Sequence, residues 1–256
     1  MIDCGKLLGQ ARRRAQLTRT ELAALANVSL SVVSRTEAGL TTPAADTFIE
    51  MLNAAGFILK GNCLERWSCP SAGWAARWLL GDLEAKPPQA DEWTERWERI
   101  DIIRDGKVLD VDSLLFRAGR SAVLGSRPGA VSGRCERLAP HLASSLAGAG
   151  IDYVVTGDQA LEEYGTEIIP RWPVLYVEDV IAAAGVLGIT PLFPGQNGRA
   201  LVTLIPFDGY SEQGSSLDPG GMKVVNPFQA LVDGYAGYGR MMEQAQELVK
   251  GWLVPE

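Results

Sequence analysis

The chain alternates stretches in which apolar residues recur every three or four positions with polar breaks only a few residues long. In "CGKLLGQARRRAQ", Leu7, Leu8, Ala11 and Ala15 fall on one helical face. Thr18 stands where a helix cap is needed, and Glu21 three residues later completes a capping box ahead of Leu22, Ala23 and Leu25. After the break "NVS", Ser29 caps a second short run that Gly39 ends. The stretch 42–59, "TPAADTFIEMLNAAGFIL", opens a further helix with Pro43 in its first turn and sets Phe48, Met51, Leu52 and Ala55 on one side. Residues 1–60 therefore read as an all-α unit.

Residues 61–133 form a connecting region. "PSAGWAARWLLGDLEAK" and "ADEWTERWERI" are two amphipathic patterns separated by "PPQ", and "RIDIIRDGKVLDVDSLL" is a hairpin pattern turning on Asp105-Gly106. "GSRPGAVSGR" reads as a loop or linker. The region is either a second small winged unit or a bridge packed on one of its neighbours. From 134 to 256 the pattern becomes α/β. Helix patterns "CERLAPHLASSLAGAG", "DQALEEYG" and "DVIAAAGVLG" alternate with the strands "IDYVVTG", "WPVLYVED" and "RALVTLIPF", the last after a glycine-rich turn. A polar loop and the segment "MKVVNPFQALVDGYAGYGRMMEQAQELVKGWL" follow. The expected fold class is mixed: a helical head, then an α/β (α+β) body.

Charge refines this division. The 256 residues carry a net charge of −7. Residues 1–60 hold seven basic and five acidic side chains, a balance of +2, so the rest carries −9. Any attraction for a polyanion is thereby confined to the head. No apolar run reaches the roughly 18 residues of a membrane span, and the N-terminus lacks the basic-then-apolar order of a signal peptide. A cytoplasmic location with reduced thiols is expected, since four cysteines in a chain this long are no disulfide framework.

Two short helices joined by about three residues form a helix-turn-helix. The second buries Val28, Val33 and Thr36 against Leu22 and Ala23, leaving Leu30, Ser31, Ser34 and Arg35 outside. Small polar groups at a helix start and one long donor a turn later suit the major groove, where an arginine grips a guanine edge bidentately. Thr18, Arg19 and Ser29 complete the expected DNA-binding set, and Glu37, the helix's one acidic residue, points elsewhere. The segment "TRTELAALANVSLSVVSRTEAG" resembles the Cro and phage-repressor (xenobiotic-response-element) type of helix-turn-helix over residues 5–59. The matching residues include Thr18, Glu21, Leu22, Ala23, Val28, Ser29, Val33, Glu37 and Gly39. That resemblance implies a structural ion pair between Arg12 and Glu37, and a contact of Arg19 with phosphate or a flanking base. Asn27, where the turn usually has glycine, and Thr36, where a larger apolar residue is common, depart from the pattern.

The second half resembles AbiEi-type antitoxins, the autorepressing DNA-binding antitoxins of type IV toxin–antitoxin systems, over residues 134–254. The resemblance rests on Thr156, Gly157, Ala160, Leu161, Tyr164, Gly165, Tyr176 and Val177, and on Pro227, Phe228, Gln229, Ala230, Asp233 and Gly239. It implies a nucleotidyltransferase-like scaffold and a cognate nucleotidyltransferase toxin as partner. Two-metal phosphoryl transfer needs carboxylates converging on one face beside a small-residue turn. Here the turn is "TGDQ" with Asp158 in it, and the strand offers Glu178-Asp179, adjacent residues that point to opposite faces. No catalytic residue and no cofactor is expected. Cys63, Cys69, Cys135 and His141 could form a tetrahedral zinc set, but their five-residue spacers are long for paired ligands, and Cys135 and His141 diverge on one expected helix. "DGYAGYGR" lacks the lysine and Ser/Thr of a phosphate loop. The expected function is a sequence-specific repressor bound as a homodimer to a double-stranded operator. Alternatives are a DNA-localised nucleotidyltransferase and a ligand-responsive repressor with a pocket in the α/β half.

Overall fold

The computed structural model describes residues 3–191, 202–237 and 239–253. The chain divides into two compact units, 1–121 and 122–256. The connecting region 61–133 is thus shared out: its helices belong to the first unit and its last residues to the second.

The first unit opens with α1 (Cys4–Arg14), whose cap Asp3 accepts the Lys6 N–H at 2.9 Å. Then come α2 (Arg19–Leu25), α3 (Leu30–Glu37) and α4 (Ala45–Ala54). Leu8, Leu22, Val33, Met51 and Leu52, each at most 1% exposed, make one core with Phe48 and Ala55. Pro43 lies just outside α4, because Ala44 is the cap residue. The helix expected to run to 59 stops at Ala54, where Gly56 takes a positive φ of 74°. Its last apolar residues instead form β1 (Phe57–Lys60), an antiparallel hairpin with β2 (Cys63–Arg66).

α5 (Pro70–Leu79) and α6 (Ala90–Glu98) follow, then β3 (Ile103–Arg104), β4 (Lys107–Val108) and α7 (Val111–Ser121). Asp105 and Gly106 have φ values of 50° and 72°, the two left-handed residues of a tight primed turn, as the Asp-Gly pair predicts. A second core gathers Ala72, Ala75, Trp93, Trp97, Ile103 and Leu114, and Ile100 packs against both cores.

The second unit is built on a seven-stranded mixed sheet. In chain order it contains a short 3-10 turn at 124–126, β5 (Val131–Arg134), α8 (Ala139–Gly148), β6 (Tyr153–Thr156), α9 (Asp158–Glu163), β7 (Val174–Val177), α10 (Val180–Leu187), β8 (Thr190–Pro191), β9 (Val202–Pro206), β10 (Ser216–Leu217), β11 (Lys223–Val224), α11 (Pro227–Ala236) and α12 (Met241–Leu253). The strand order is β10-β11-β6-β7-β9-β5-β8. β7 and β9 are parallel and joined across α10; β6 runs antiparallel to β7, with Tyr153 opposite Val177. β6 and β7 are buried at every position, as strands covered on both faces must be. α8 and α10 pack on each other and on the sheet, while α9, α11 and α12 form a separate group against β6.

Three expectations are corrected here. The stretch read as a loop, "GSRPGAVSGR", supplies β5, a strand inside the sheet. Cys135 precedes α8 and does not share a helix with His141. Asp179 is not a strand residue: β7 ends at Val177, and Asp179 caps α10 by accepting the N–H groups of Ile181 and Ala182 at 2.9 and 3.0 Å. The glycine-rich turn expected before β9 lies outside the described residues. The first four residues of "DGYAGYGR" still belong to α11, which ends at Ala236, and α12 begins at Met241.

Candidate nucleic-acid interface

α2 and α3 are each fixed at their start by side chains from the sequence motif. Thr18 accepts the Glu21 N–H at 3.1 Å while Glu21 accepts the Thr18 N–H at 2.8 Å, closing the capping box. Asn27 occupies the left-handed region, φ 52°, so the turn keeps the geometry that glycine would give. Ser29 then caps α3 through the Val32 N–H at 3.4 Å. Both hydroxyls, Thr18 and Ser29, are occupied in these caps.

Val33 and Thr36 are buried on the inner side of α3, and Val28 packs partly against the same core. Leu30 is 47% exposed, Ser31 and Arg35 are exposed, and Ser34 is half-buried. These four define the outward face of α3. Beside them Thr41, Pro43 and Ala44 from the approach to α4, and Thr47 in its first turn, line a shallow groove of about 340 Å³ with Ser31 and Arg35. The sequence reading missed this wall, which follows only from how α4 sits against α3.

Glu37 turns inward, its side chain 4% exposed. Arg12 Nε donates to Oε1 at 2.6 Å and Arg12 Nη2 to Oε2 at 3.2 Å, giving the bidentate pair that the resemblance implied. Arg19 Nε also donates to Oε2, at 2.6 Å, so Arg19 is a second partner of Glu37 while half of its side chain stays exposed. Burial pushes the Glu37 carboxyl up, but the hydrogen bonds and charges of Arg12 and Arg19 outweigh it and hold the group below its ordinary value. Because both guanidiniums share one buried carboxylate, the outward face of α3 is left without an acidic group.

Three further arginines reach α1 and α2 from the later helices of the same unit. Arg99, at the end of α6, donates to the Ala24 carbonyl at 3.0 Å. Arg117 of α7 pairs with Glu21, and Arg120 of α7 donates to the Arg14 carbonyl at 3.1 Å. Their partners are 75 to 106 residues away in sequence, so no local pattern could have disclosed them.

Residues 3–58 match a family model described as a helix-turn-helix domain. The protein thus carries a helix-turn-helix module at its N-terminus, the class of module that presents one helix to the DNA major groove. No curated protein and no solved structure is detectably similar to the chain.

The residues weighed for catalysis in the second unit are placed differently. Asp158 is 3% exposed; its Oδ2 accepts the Arg171 and Trp172 N–H groups at 2.7 and 3.1 Å, and burial raises its carboxyl above the ordinary range. It borders a hollow of about 340 Å³ that Trp172, Ile169 and Arg240 also line. Of four residues that carried the second resemblance, Thr156, Tyr176 and Gln229 converge on the fourth, Asp233, which is paired with Arg127. Asp233 accepts from Arg127 Nη2 and Thr156 Oγ1, each at 2.7 Å, from Gln229 Nε2 at 2.9 Å, and from the Tyr176 hydroxyl. The whole cluster is buried. Among the described residues, no group of three or more His, Cys, Asp or Glu side chains is placed to hold a metal ion. Cys63 is exposed on β2, and Cys69 Sγ lies 3.0 Å from Ser71 Oγ. No helix among the described residues is long and apolar enough to cross a membrane.

Proposed function

We propose that the protein is a sequence-specific regulator of transcription, a repressor that seats α3 in the major groove of double-stranded DNA. The observation carrying this reading is the two-sidedness of α3: Val33 and Thr36 lock it inward, and Leu30, Ser31, Ser34 and Arg35 face out with the acidic Glu37 withdrawn into its ion pair. Arg35 is the base-reading donor. Arg19, bound to Glu37 yet half exposed, is oriented for the phosphate backbone. As in other modules of this class, two copies read two half-sites about 34 Å apart on an inverted repeat. The activity on this reading is binding: Asp158 is 3% exposed with its Oδ2 held by the Arg171 and Trp172 N–H groups, and Asp179 is consumed by a helix cap.

Selection of duplexes from a random pool, followed by titration of wild type and Arg35→Ala against the winner, tests the reading. The variant should lose roughly 1–3 kcal/mol, about 5- to 150-fold in affinity. Equal affinities would remove α3 from the groove. By its resemblance in the second half, the protein is further an autorepressing antitoxin to a nucleotidyltransferase toxin. Deleting its gene should then arrest growth through that toxin, and normal growth of the deletion strain would refute the antitoxin role.

A further inference from the structure

α8 and α10 lie side by side on the sheet of the second unit. α8 leads by a tight turn into β6, and α10 leaves β7 by another. Because β6 and β7 are antiparallel, the two helices are antiparallel as well. Arg137, just before α8, accordingly donates to the Leu187 carbonyl at the far end of α10, at 2.5 Å. At the opposite end, Gly150 and Ile151 border the same groove as Glu178 and Asp179.

The outward side of this pair is unusual. Residues 138–151 and 180–191 contain no Asp, Glu, Lys or Arg, where stretches of that length would ordinarily carry roughly six. His141, Ser144 and Ala147 face out from α8, and Ile181, Gly185 and Val186 from α10. Ile181 is 85% exposed and Val186 44%. A Cβ placed on Gly185 would meet nothing, so another backbone can come close there. Charge is confined to the two ends: Arg134 and Arg137 with Glu136 at one, and at the other Glu178, Asp179 and Asp152, the last paired with Lys223, which leaves that end net acidic. A neutral centre inside a charged rim is the anatomy of a protein–protein contact.

We propose that this α8/α10 face is where a second copy of the chain docks, antiparallel, to form the dimer that reads an inverted repeat. The charge distribution selects the occupant. A two-fold axis across the helices sets each basic end over an acidic end of the other copy, so the surface is complementary to itself. The chain beyond residue 60 as a whole carries −9, which opposes self-association through any face without such complementarity. The inference rests on the DNA-binding reading for its purpose but not for its measurement. Helices 10 and 8 residues long, about 10 Å wide and rising 1.5 Å per residue, outline roughly 300 Å² per copy. That is well under the roughly 800 Å² of a standard interface. The dimer is therefore weak in solution and consolidated when both heads are on DNA.

Sedimentation equilibrium of the full chain without DNA, from about 1 to 200 µM, is the deciding measurement. Wild type should pass from monomer to dimer within that range, and Ile181→Glu, a change at an exposed position, should stay monomeric while retaining its circular dichroism. Arg134→Glu and Glu178→Arg should each weaken association about tenfold, and the double reversal should restore it. A wild type that stays monomeric at the top of the range overturns the proposal, as do single reversals without effect or a double variant that fails to recover. Binding to a duplex with one half-site, obtained by selection, should be untouched by these variants. If wild type failed to bind it, the DNA reading would fall while the dimer stood on its own data.

Discussion

Glu37 holds Arg12 and Arg19 at once from a nearly buried position, and this one carboxylate ties α1, α2 and α3 together. Its folded form titrates below its ordinary value, as does Glu21, whose burial is outweighed by Thr18 and Arg117. A carboxyl depressed by folding stabilises the fold above its unfolded pKa, and that contribution disappears as pH falls through the folded value. The head should accordingly lose stability as pH drops below about 4.3, more steeply in wild type than in Glu37→Gln; thermal melts from neutral to acid pH check this. At neutral pH, Glu37→Gln should cost about 2–4 kcal/mol, because two guanidiniums lose their shared anion. The neighbouring Thr36 shows the opposite defect. Its hydroxyl is buried without a hydrogen-bond partner, so Thr36→Val should raise stability by about 1 kcal/mol in chemical denaturation, and a fall would show that the hydroxyl is satisfied in solution. The Arg12–Glu37 pair was legible through the family resemblance. Arg19 as its third member was not, since the resemblance assigned that side chain to DNA.

At the scale of elements, what could be read depended on whether the stabilising contact was local. The capping box at Thr18, the cap at Ser29 and the Asp105-Gly106 hairpin are set by residues within a few positions of one another, and all three stand where their patterns put them. β5 was missed because its sequence, Val131 to Arg134, carries no alternation of its own. It is a strand because Gly133 admits Ile189 and Thr190 closer than any side chain would allow, a Cβ there lying 2.3 Å from Ile189 Cγ2. Gly5 in α1 plays the same part in the head: a Cβ on it would sit 2.4 Å from the Thr36 carbonyl oxygen. Gly5→Ala should therefore push α1 away from the end of α3 and cost roughly 1–3 kcal/mol, with a matching loss of DNA affinity. A melting temperature unchanged from wild type would mean that α1 does not lie against α3 as described.

At the scale of the molecule, the sequence marked a basic head and an acidic body but drew the border near residue 60, whereas the compact units divide at Ser121 and Ala122. The shift arises from α5 to α7, whose own core is joined to that of the head through Ile100. The second unit is pinned by Arg127, fully buried with Asp233, Tyr176 and Ser211 around it. Burial works against its charge, but the surrounding acidic groups keep the guanidinium protonated. Asp233→Ala strands that cation in the interior and should cost about 3–5 kcal/mol. Calorimetry should show one unfolding transition moving down while the transition of residues 1–121 keeps its position. Movement of both together would mean that the two units melt as one.

The grip of Arg99, Arg117 and Arg120 on the first two helices bears on how this regulator can be re-engineered. A hybrid factor made by splicing only the 56-residue family segment onto another effector would strip the arginine donors from the Ala24 and Arg14 carbonyls and from the Glu21 carboxylate. The transplantable cassette ends at Ser121, and grafts cut shorter should arrive loosened.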